Sequence, residues 1–111
     1  VNKYGAKKTV CVHGHKHDSK REAKRCDELH LLERAGEISF LIVQPKFTFM
    51  IDDFPIRMAN GHSAKYTPDF QYLEGDKCVV EDVKGFTVRD FPLRAALFRL
   101  LNPDIELRVV K

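Results

Sequence analysis

Residues 66–85 read YTPDFQYLEGDKCVVEDVKG, and the fold turns on how this stretch is read. It predicts two β-strands, at 66–73 and 77–83, joined by a tight polar turn, Glu74-Gly75-Asp76. Glycine permits positive φ in such a turn, and aspartate can bond its own backbone. Asp69 sits early in the first run, and Asp82 and Lys84 sit at the end of the second. Strand side chains alternate, so Asp82 and Lys84 share one face while Glu81 and Val83 take the other. A hairpin that brings Asp69 near Asp82 puts two carboxylates and an ammonium on one patch. That set can hold a hard divalent cation and activate a water.

Beyond this hairpin, Asp90 caps an expected helix, DFPLRAALFRLL, with Pro92 tolerated in its first turn. Arg94 and Arg99 emerge from this helix and Arg89 precedes it; Asn102-Pro103 stops it, and residues 105–110, IELRVV, read as a final strand. On the other side, residues 37–50, EISFLIVQPKFTFM, are β-prone. Ile38, Phe40 and Ile42, then Phe47 and Phe49, suggest two strand pieces joined at Gln44-Pro45, because proline cannot donate a ladder hydrogen bond. Gln44 at that bend either bonds backbone or reaches a site opening there. Asp52-Asp53 reads as a polar turn, with a short strand expected at 56–58.

Further upstream lies a helix over SKREAKRCDELHLLERAG, capped by Asp18 or Ser19 and ended at Gly36. Glu22, three residues after Ser19, completes a capping-box pattern. Ala23, Cys26, Leu29 and Leu32 form its apolar arc, and Glu22 falls inside that arc. An inward carboxylate is costly unless paired or metal-bound. Glu22 therefore either caps the helix and stays wet, or faces the hairpin as a third acid. Lys20, Lys24 and Arg34 on the opposite side read as a solvated face. Lys3, Lys7 and Lys8 form a basic arm, read as a solvated tail or as phosphate contacts. Cys11, His13, His15 and His17 alternate near Cys26, which suggests zinc. Their spacing matches none of the common zinc frameworks, so exposed hairpin histidines are the expectation.

With 111 residues and no repeat or linker, one domain over residues 1–111 is expected. Hydrophobic residues at 43% and charged residues at 32% suit an ordinary soluble protein. No apolar run approaches the ~18 residues of a membrane span. Three cysteines, an odd number, favour a reducing compartment, hence the cytoplasm. The net charge of +3 permits nucleic-acid binding without requiring it. The element order, hairpin, helix, strands, helix, strand, predicts an α/β (α+β) fold: a mixed sheet flanked by two helices, with an N-terminal hairpin.

Pro68-Asp69, followed thirteen positions later by Asp82 in Asp82-Val83-Lys84, resembles the PD-(D/E)XK motif of restriction-endonuclease-like nucleases. The longer pattern SKREA, ELHLLERAGEI, VQPKF, YTPDF and VVEDVKGF is similar to small phage and prophage endonucleases related to Holliday junction resolvases. The resemblance spans residues 3–110. It implies a mixed central sheet and a metal-dependent DNA endonuclease acting in phage DNA processing, in the bacterial cytoplasm, on branched DNA. Asp69, Asp82, the Val83 carbonyl and Glu22 would hold Mg²⁺, with Mn²⁺ able to substitute. Lys84 would orient the attacking water and stabilise developing charge, and Gln44 would lie near the site. Lys7, Lys8, Lys65, Arg89 and Arg94 are the expected DNA phosphate contacts. A homodimer fits paired cuts across a junction. The other readings are a single-strand or flap nuclease, and a DNA-binding module that has lost catalysis. Cys26 stands where that family carries a bulky aromatic.

Overall fold

The computed structural model describes residues 9–11, 14, 16, 17, 19–84 and 90–111. Lys3, Lys7, Lys8, His13, His15 and Arg89 lie outside the described residues. The architecture is mixed α+β, as expected. At its centre stands a four-stranded sheet built from β3 (Ser39–Val43), β8 (Phe70–Glu74), β9 (Lys77–Val83) and β10 (Ile105–Val110), in the order β10-β9-β8-β3. The β8–β9 and β3–β8 pairs are antiparallel, and β9–β10 is parallel. A parallel pair needs a crossover, and α2 (Phe91–Leu101) supplies it between β9 and β10.

The two helices serve opposite faces of β9. Val79 joins α1 (Lys20–Arg34) in a cluster with Ala23, Cys26, Leu29, Phe70 and Tyr72. Its neighbour Val80 joins Phe91, Ala95 and Phe98 of α2 with Tyr66 and Leu107. A strand flanked on both sides by helices must be apolar on both faces, and β9 is buried at Val79, Val80, Glu81 and Asp82 in succession. Two of those four buried positions are acids, which marks the strand end as unusual.

Local chemistry explains the ends of α1. Ser19 Oγ accepts the Glu22 N–H at 3.1 Å. At the other end Gly36, at φ +83, lets Gly36 N–H reach the Glu33 carbonyl and Glu37 N–H reach the Leu32 carbonyl, a Schellman closure. Asp52 and Asp53, at φ 49 and 68, make the two-residue turn between β5 (Met50–Ile51) and β6 (Phe54–Pro55). The remaining short pairs are β1 (Thr9–Val10) with β2 (Lys16–His17), and β4 (Phe47–Thr48) with β7 (Lys65–Tyr66).

Several expectations are corrected. The run at 66–73 is two strands, because Thr67-Pro68-Asp69 interrupts it and Tyr66 pairs with Phe47 instead. The turn after β8 is two residues, Gly75-Asp76, since Glu74 pairs with Lys77. Alternation from Ile38 through Phe40 to Ile42 fails. The register shifts between Ser39 and Ile42, and Phe40 takes φ 54, so Ile38 is buried while Phe40 is 74% exposed. The strand expected at 56–58 is one bridge, Arg57 to Ser63. Asp90 stands at the N-cap of α2 but accepts Arg94 Nε at 3.0 Å rather than capping with its side chain.

Candidate active site

Asp69 precedes β8, and Asp82 ends the buried run of β9. The ladder continues past Phe70–Glu81, with the Asp69 N–H donating to the Glu81 carbonyl at 3.1 Å. Asp69 then turns its carboxylate across to β9, where Oδ2 accepts the Val83 N–H at 2.6 Å. Asp82 is 2% exposed. Its Oδ1 lies 3.1 Å from Lys84 Nζ, and its Oδ2 accepts the Tyr66 hydroxyl. Lys84 is fixed in turn: its backbone N–H donates to the Val110 carbonyl, and Nζ stands 4.6 Å over the Phe91 ring. The acid-acid-lysine set expected from the sequence therefore gathers at one end of the central strands, where β8 begins and β9 ends, and this end is the carboxylate edge.

Glu22 joins this edge from α1. It is buried, so the reading in which it only caps the helix and stays wet is corrected. Its backbone N–H serves the cap, while its Oε1 meets His17 Nδ1 at 2.9 Å. Electrostatics tie the acids together. Burial, then the Glu22 carboxylate, then that of Asp82, push Asp69 up to about 9, against the opposing pull of the Val83 N–H. Burial and then the Asp82 charge also hold the Tyr66 phenol well above its ordinary range, so Tyr66 remains a proton donor to Asp82.

Glu22 and Asp82 are buried and Asp69 is half-buried, and three carboxylates gathered around one lysine are a donor set that a divalent cation would relieve. Magnesium takes one or two carboxylates and keeps several waters, so Asp69 and Asp82 fit as direct donors with Glu22 beside them. A hard cation of this kind neutralises phosphate charge and lowers the pKa of bound water.

Gln44 enters through its main chain: its N–H donates to the Asp69 carbonyl at 2.8 Å from a backbone at φ 54, and its side chain is exposed. Lys65 and Arg94 line a cleft of about 260 Å³ beside Asp82, together with Tyr66, Lys84 and Phe91. Arg94 is braced there by the Lys65 carbonyl and Asp90. On the far side of β9, Lys20, Arg21, Lys24, Arg25 and Lys111 line a second cleft of about 360 Å³ that reaches Val83. Lys20 and Lys24 are exposed, as the solvated-face reading expects, and they line this second cleft.

Glu81 lies outside the acid set, as strand alternation predicts. It is fully buried, accepts Arg25 through Nε and Nη2, both at 2.8 Å, and accepts the Tyr72 hydroxyl. The Glu81 hydrogen bond leads in raising the Arg25 guanidinium further still, which keeps it a fixed cation. The sequence reading missed Arg25, Tyr66 and Tyr72. Arg25 had one visible signal, its position three residues before Glu28 on the helix, with which it pairs at 3.1 Å. The hydroxyl roles of the tyrosines had none.

The histidine expectation is also corrected at His17, which is 1% exposed. Among the described residues, Cys11, His17 and Cys26 form a set whose donor atoms all lie within 4.8 Å of one another. Among those residues, too, no helix is long and apolar enough to cross a membrane.

A family model described as a protein of unknown function (DUF1064) matches residues 1–111, and the chain belongs to that family. No curated protein and no solved structure matches it.

Proposed function

We propose that the chain is a metal-dependent DNA endonuclease that hydrolyses phosphodiester bonds at the Asp69–Asp82–Lys84 edge. One observation carries this reading: Lys84 Nζ lies 3.1 Å from Asp82 Oδ1, on the strand whose Val83 N–H holds the Asp69 carboxylate. The sequence resemblance to PD-(D/E)XK nucleases supports the same residues. Asp69 and Asp82 would hold Mg²⁺, with the Val83 carbonyl and Glu22 completing the protein's share, and Mn²⁺ would substitute.

The chain's own groups have separate tasks. Tyr66 fixes one oxygen of Asp82 and Lys84 meets the other, so the carboxylate cannot rotate away from Asp69. Lys84 lines a polar cleft beside Asp82, which suits stabilising negative charge that builds on phosphate. Cations in the clefts on both sides of β9 would bind the phosphate backbone. Backbone contacts of this kind carry no base code, so recognition would follow DNA shape, with branched DNA as the substrate class.

The test is Mg²⁺-dependent cleavage of a four-way junction beside linear duplex and single strand. Metal-dependent cutting with preference for the junction is expected. Binding of all three without cleavage would instead assign a DNA-binding module, and preference for single strands a flap-type nuclease.

A further inference from the structure

We propose that Cys11, His17 and Cys26 bind a zinc ion that clamps the β1–β2 hairpin onto α1. This site uses other donors than the carboxylate edge, which it meets at the His17–Glu22 contact, and it stands whether or not that edge cleaves DNA. Cys11 follows β1, His17 ends β2, and Cys26 lies on the buried face of α1. Three elements thus converge on one point, and all three residues are buried.

The distances fit tetrahedral zinc. Zn–S bonds of about 2.3 Å at a tetrahedral angle put two sulfurs about 3.8 Å apart. Cys11 Sγ and Cys26 Sγ stand 3.6 Å apart, and a His17 ring nitrogen lies within 4.8 Å of both. The donor type selects the metal class. Two thiolates and an imidazole favour zinc over magnesium, whereas the oxygen donors of the neighbouring carboxylate edge favour the reverse.

The surroundings fit as well. His17 Nδ1 meets Glu22 Oε1 at 2.9 Å. A carboxylate on one ring nitrogen, setting the tautomer for a metal on the other, is the usual support of a zinc-bound histidine. Coordination would therefore use Nε2. His30 Nδ1, one turn beyond Cys26, bonds the Cys26 carbonyl at 2.8 Å and stands beside the cluster. Zinc binding forms two Zn–S bonds and a Zn–N bond, with a water in the fourth tetrahedral position, and releases the two thiol protons to solvent, with no change of oxidation state. Through the His17–Glu22 bond the ion would also fix the Glu22 carboxylate.

The full chain, purified without chelator from zinc-supplemented cells, should carry close to one zinc per chain by elemental analysis. C11S and C26S should each lower this to background, while C78S and D82N should retain it. Because a cysteine variant could fail to fold, the unaltered chain should also be stripped and reloaded with Co²⁺. Thiolate-to-cobalt charge transfer and the d–d bands of tetrahedral Co²⁺ should then appear, together with proton release and a rise in melting temperature. Absence of zinc and of the cobalt bands in the unaltered chain would overturn the proposal. So would zinc that survives in well-folded C26S, or a Cys11–Cys26 disulfide in the native chain.

Discussion

Glu81 and Asp82 are neighbours on β9 and almost equally buried, yet they face different surroundings. On the α1 face, Glu81 meets a guanidinium that grips both its oxygens, and a tyrosine hydroxyl. On the α2 face, Asp82 meets one lysine and one tyrosine, with Asp69 beside it and a cleft opening past it. Glu81 has a balanced ion pair and no route to solvent. Asp82 belongs to an excess of negative charge at an accessible edge. Buried charge of the first kind holds a structure together, and buried charge of the second kind is suited to binding a cation.

The largest separation should come from D82N. Loss of cleavage by ~10²-fold or more is expected, with DNA binding retained in a gel-shift assay; normal cutting would remove Asp82 from the site. E81A should do the reverse. It leaves Arg25 without its main partner at the edge of the core, and a cost of about 3 kcal/mol in urea denaturation is expected. That figure is the low end of the range, because Arg25 is partly exposed. Y66F should fall between them. It removes the donor that orients Asp82, and activity should drop about 10-fold, with ~1 kcal/mol lost in stability.

The subtlest difference is in pH dependence. Asp69 is raised from 3.8 to about 9 in the fold, first by burial and then by Glu22 and Asp82. The folded chain therefore holds this proton more tightly than the unfolded one. The group's stabilising contribution is full below 3.8 and is lost as pH rises toward about 9. Metal-free protein should melt at falling temperatures across that window in calorimetry, and D69N should flatten the slope. Mg²⁺ should raise the melting temperature most at the alkaline end. A metal-free stability that climbs with pH would contradict the clustering of the acids.

The sequence was informative where chemistry is local. Alternation along β9 separated Asp82 and Lys84 from Glu81, and the Ser19 cap and Gly36 closure framed α1. It failed where partners are distant in the chain. Nothing near Glu81 announces Arg25, 56 residues earlier, or Tyr72 as its donors. The bulge at Phe40 breaks an alternation that looked regular, because a register shift is decided by the partner strand. His17 looked like one of several exposed histidines until α1 brought Cys26 and Glu22 against it.

The most direct measurement sets the two neighbours against each other: Mg²⁺-dependent cleavage of a four-way junction by E81Q and D82N, below the melting temperature of both. If the metal edge includes Asp82 and excludes Glu81, E81Q cuts at near the unaltered rate and D82N does not cut. Equal loss in both, or loss confined to E81Q, would contradict it.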